Sequence, residues 1–74
     1  MTQNDLKVTL EAMGFEVEVT QYGALEGCMN GISFLYGDDN GCGVIFKPNG
    51  KNKWYYDKSN KQFLSIIKKV MENN

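Results

Sequence analysis

The sequence has no histidine and no arginine, one proline, and two cysteines among its 74 residues. Each shortage excludes something. Without histidine the usual general base and the commonest metal ligand are missing, so no Ser/His/Asp or Cys/His catalytic arrangement can be built. Without arginine the preferred residue for bidentate contacts to phosphate and guanine is missing, which counts against sequence-specific reading of DNA. Cys28 and Cys42 are too few for a disulfide framework, and with no other soft ligand they do not make a zinc site. In a reducing compartment they stay as thiols. No apolar run approaches the roughly 18 residues of a membrane span, and Met1 to Asp5 carry neither the basic nor the apolar region of a secretory signal. The expected location is the cytoplasm, with no membrane partner.

What is present is ordinary globular composition, 42% hydrophobic and 23% charged, which argues against disorder. The length fits a single domain over residues 1–74. One Trp, four Tyr and four Phe can fill much of a small core. The net charge of −1 hides a division. Residues 1–40 hold seven acids and one lysine, a net −6, whereas residues 41–74 hold seven lysines and two acids, a net +5. Strands from both halves should share one sheet, so the expectation is that these charges neutralise each other in space.

The chain reads as helix, four strands, helix. Leu6, Leu10 and Met13 form a one-faced apolar stripe, with Thr2 or Asn4 to cap the start and Gly14 beyond the end, predicting a helix over 4–13. Phe15-Glu16-Val17-Glu18-Val19 alternates with the period of a strand that has one buried face. Gly23 and Gly27 bracket a turn, followed by a second strand over 28–36. The run Gly37-Asp38-Asp39-Asn40-Gly41 is a dense turn signal, leading to a third strand over 42–47. Pro48-Asn49-Gly50-Lys51 is a further hairpin turn, and the fourth strand covers 53–57. Ser59 with Gln62 fits a capping box, and Phe63, Ile66, Ile67, Val70 and Met71 follow with helical spacing.

Centring the second turn on Asp39 sets Tyr36 opposite Cys42 and Phe34 opposite Val44. Centring the third at Gly50 sets Phe46 opposite Trp54. This register puts Phe15, Val17, Val19, Ile32, Phe34, Tyr36, Cys42, Val44, Phe46, Trp54 and Tyr56 on one face, as a core. Two helices are wide enough to cover four strands, so both belong on that face. The expected fold is therefore α+β, a helix, a four-stranded antiparallel meander and a helix (αββββα) in a two-layer sandwich. The opposite face is open and carries Glu16, Glu18, Leu35, Ile45, Lys47, Lys53 and Tyr55.

No catalytic constellation appears, and neither enzymatic activity nor a cofactor is expected. Asp38, Asp39 and Asn40 lack the spacing of an EF-hand loop and read as a plain turn. The best surface is the open face, with Leu35, Ile45 and Tyr55 as an apolar centre and Glu16, Glu18, Lys47 and Lys53 as a charged rim, ordinary anatomy for a protein interface. The function expected from this is a small protein-binding module. Composition and size suit an accessory protein of a phage or mobile element that inhibits a host protein by steric blocking. A second possibility is a nucleic-acid-binding module using the hairpin residues Lys47, Lys51, Lys53 and Tyr55, since single strands are held by backbone charge and aromatic stacking. A third is a homodimer through the same open face, either structural or binding a small ligand between subunits. In outline the element order resembles the double-stranded-RNA-binding domain, whose basic cluster at the start of the last helix would fall on Lys58 and Lys61. Phe63, Leu64, Ile66 and Ile67 stand where that family packs small residues. The last three strands and helix also resemble the arm-type domain of tyrosine integrases, which lays a three-stranded sheet on DNA.

Overall fold

The computed structural model describes residues 1–37, 39–48 and 50–73. Helix α1 covers Gln3–Ala12, and five strands follow: β1 (Glu16–Val19), β2 (Leu25–Met29), β3 (Ile32–Gly37), β4 (Cys42–Phe46) and β5 (Asn52–Tyr55). Helix α2 covers Asn60–Glu72. The strands form one antiparallel sheet in sequence order, so the architecture is α+β with one strand more than the sequence reading expected.

The additional strand comes from Asn30-Gly31. Both residues have positive φ, 50° and 85°, the pattern of a two-residue hairpin turn whose twist matches that of its strands. This turn splits the expected second strand into β2 and β3. Gly27, read as part of a turn, lies within β2. A Cβ there would sit 2.5 Å from the Phe34 ring, so the missing side chain is what admits that ring to the core.

Both helices begin with a reciprocal capping box, Thr2 with Asp5 in α1 and Ser59 with Gln62 in α2. Leu6 and Leu10 of α1 and Phe63, Leu64, Ile67 and Val70 of α2 join Phe15, Val17, Leu25, Ile32, Phe34, Tyr36 and Ile45 in one buried cluster, which puts both helices on one side of the sheet. Its aromatic spine packs edge to face from Phe15 to Phe34 (5.4 Å) and from Phe34 to Phe63 (5.6 Å), then stacks Phe63 on Tyr36 (4.2 Å, 13°). The Tyr36 hydroxyl donates to the Lys58 carbonyl at 2.6 Å, tying β3 to the loop before α2.

The expected register fails at the β3–β4 and β4–β5 hairpins, and only the first failure exchanges faces. Gly37 pairs with Cys42 and Tyr36 with Gly43, one residue away from the expected pairing. A one-residue slip exchanges the faces of everything that follows. Hence Ile45 is fully buried, while Phe46, Trp54 and Tyr56 are exposed. Cys42 and Val44 share the outward side with Phe46, and Val19, at the end of β1, is also exposed. The inward position that alternation assigned to a large residue is Gly43, and the rings of Tyr36 and Phe63 fill its place; a Cβ there would lie 3.0 Å and 3.1 Å from them. The β4–β5 pairing differs from expectation by two residues, Phe46 facing Asn52, which leaves those strands in phase.

No described helix is long and apolar enough to cross a membrane. The expected pairing of charges between the two halves is not seen among the described residues, whose one ion pair is the local Lys7–Glu11 contact at 3.1 Å in α1.

Candidate protein-binding face

The helices cover one side of the sheet, and the strands' outward side chains form the other. Cross-strand pairing arranges them in rows. One row runs Glu18, Glu26, Leu35, Val44, Trp54 from β1 to β5. The next runs Glu16, Cys28, Ser33, Phe46, Asn52. Together the two rows contain three glutamates and no lysine.

The face has two halves. Over β1 and β2 it is acidic. Glu16, Glu18, Glu26 and Ser33 line a shallow depression of about 350 Å³. Glu18 lies directly opposite Glu26, a like-charge pair that costs stability. Over β3 to β5 the face is apolar. Trp54 is 62% exposed and Leu35 41%, whereas Val44 between them is only 3% exposed. Phe46 is exposed in the next row, and Tyr56, just beyond the end of β5, is exposed as well.

The structure divides the expected site. Leu35, Glu16 and Glu18 are on the open face, as read from the sequence. Ile45 is not there but inside the core, and Tyr55 is half-buried against that core from the helix side. Burial raises the Tyr55 phenol pKa above its ordinary value. Lys47 and Lys53 line a groove with Tyr55 and α2, also on the helix side, and so form no rim to the open face. Lys51 is exposed between β4 and β5.

The sequence reading missed Glu26, Phe46, Trp54 and Tyr56. Glu26 could have been found from the Asn30-Gly31 turn, which fixes the alternation of β2. The aromatics could not be found without the one-residue correction at the β3–β4 turn.

Cys28 is exposed on β2 and Cys42 is half-buried on β4; both thiols are free. No group of three or more metal-ligating Cys, Asp or Glu side chains occurs among the described residues. Of the acidic turn, Asp38 lies outside the described residues; the Asn40 side-chain oxygen accepts from the Cys42 amide at 3.0 Å, a turn-closing bond. No family model, curated protein or solved structure matches this chain, so neither family resemblance seen in the element order gains support.

Proposed function

We propose that this chain is a protein-binding module and that its contact surface is the open face of the sheet. One observation carries the reading: a large tryptophan, 62% exposed, sits with Leu35, Phe46 and Tyr56 beside three glutamates that have no basic partner among the described residues. Exposed aromatic clusters are costly to leave in water, and tryptophan and tyrosine are favoured anchors at interfaces. The charge beside the cluster selects the partner. A complementary protein surface offers basic side chains over β1 and β2 and an apolar contact over β3 to β5. On this reading the chain acts by covering part of its partner, the steric mode expected of small phage or mobile-element inhibitors, and chemistry on the partner is not required.

The test is capture from a lysate of the source cells by four proteins: wild type, Trp54→Ala, Glu26→Lys and a control, Lys61→Gln, in the first turn of α2. A partner of this face is held by wild type and control and lost with both outer-face variants. Glu26→Lys separates charge from general surface damage, since it leaves every apolar side chain in place. Retention of the same partner by both outer-face variants would contradict the proposal. Light scattering on the purified chain tests the homodimer: a dimer dissociated by Trp54→Ala makes the partner a second copy.

A further inference from the structure

The helix side of the β5 edge carries a second surface. Lys47 follows β4, Lys53 lies in β5 and Lys69 in the last turn of α2, and all three line one groove of about 290 Å³. Its floor is apolar, formed by Tyr55, Ile66 and Val70. The Lys53 ammonium sits over the Tyr55 ring, 5.8 Å from its centroid. Among the described residues none of these lysines is ion-paired, and no acid lines the groove. Glu72 is in the same turn of α2 as Lys69 but is not part of the lining.

We propose that this groove binds a compact phosphate anion of the oligophosphate class. Three elements separated in sequence each contribute one lysine to the lining of one groove, so a multiply charged ligand seated there has three flexible cationic side chains within reach. The carbonyls ending α2 contribute about half a negative charge nearby, which three ammonium groups outweigh. An oligophosphate suits the groove better than a nucleic-acid strand does. Lys53 stands over one face of the Tyr55 ring and the ring packs on the core, so a base stacking there would have to displace the Lys53 ammonium. The alternative use of these lysines is structural: their aliphatic stems cover the end of the core and their heads stay in water, with no ligand. The two uses predict different binding.

The experiment is a titration of the whole chain with inorganic tripolyphosphate, followed by amide and lysine-side-chain NMR shifts at low and moderate salt. The expected result is saturable shifts confined to the lining of the groove and weaker binding as salt rises. Lys53→Gln and Lys69→Gln each weaken affinity by about five-fold, on the order of an exposed charge pair. Lys61→Gln, outside the groove, leaves it unchanged. Absence of saturation up to about 10 mM, or an equal loss with Lys61→Gln, overturns the proposal. A parallel titration with single-stranded oligothymidylate separates the sources of phosphate. Tighter binding to the strand than to tripolyphosphate, spreading beyond the groove, overturns the compact-anion assignment in favour of a nucleic-acid surface. Trp54→Ala serves as the internal control: it removes the outer-face anchor and leaves this groove intact, so either surface can fail without the other.

Discussion

The two faces of the sheet are made by the same strands, often by adjacent residues, and they differ in what closes them. On the helix side, Phe34, Tyr36 and Phe63 pack into space left by Gly27 and Gly43, and Ile45 is wholly buried. On the outer side, Val44 and Phe46 flank Ile45 in sequence, yet Phe46 is left 38% and Trp54 62% exposed. The charges divide as well. Glu16, Glu18 and Glu26 lie outward on β1 and β2, whereas Lys47, Lys53 and Lys69 gather on the helix side near β5. In this domain a residue's role follows from the side of the sheet it occupies more than from its type, and a single residue of register decides that side.

The largest expected effect breaks the comparison at its centre. Ile45→Ala should cost about 2–5 kcal/mol in chemical denaturation, because it empties a fully buried position. Trp54→Ala, one strand away and much larger in volume, should cost about 1 kcal/mol or less, the scale of a cross-strand contact. A reversed order would return Trp54 to the core and Ile45 to the surface.

Much of the fold was legible in the sequence. Both helices, the capping box at Ser59, the inward set Phe15, Val17, Ile32, Phe34 and Tyr36, and the outward Leu35 follow from periodicity alone. Two physical facts hid the rest. Asn30-Gly31 is a strong hairpin signal, but the run after it is so apolar that the whole stretch reads as one strand. Gly43 has no side chain to show which way its position faces, and centring the preceding turn on Asp39 puts β4 one residue out, because the pairing of Gly37 with Cys42 centres it between Asp39 and Asn40. The candidate site suffered most. Its acidic part depends on β1, where alternation is clean, and was found apart from Glu26. Its aromatic part lies beyond the slipped turn and was placed in the core.

Smaller effects sharpen the electrostatic side. Glu26→Lys should raise stability by roughly 0.2–1 kcal/mol, as it turns the like-charge pair with Glu18 into an opposite-charge one. The same change should abolish partner capture, so thermal stability and binding move in opposite directions. The smallest effect belongs to Asp5. Hydrogen bonds from the Thr2 backbone and side chain hold its carboxyl below the ordinary 3.8. Its contribution is complete above that ordinary value and fades as pH falls through the lower folded value. Asp5→Asn should flatten that acid limb of an unfolding-versus-pH curve and leave the curve near neutrality with the same slope.

The account turns on where Trp54, the single tryptophan, points. Acrylamide quenching of its fluorescence reads this directly, without any partner. With the side chain 62% exposed, quenching in the folded chain should approach that of the chain unfolded in denaturant. A tryptophan shielded from acrylamide until the protein unfolds would contradict the register, the open aromatic face and the function proposed from it.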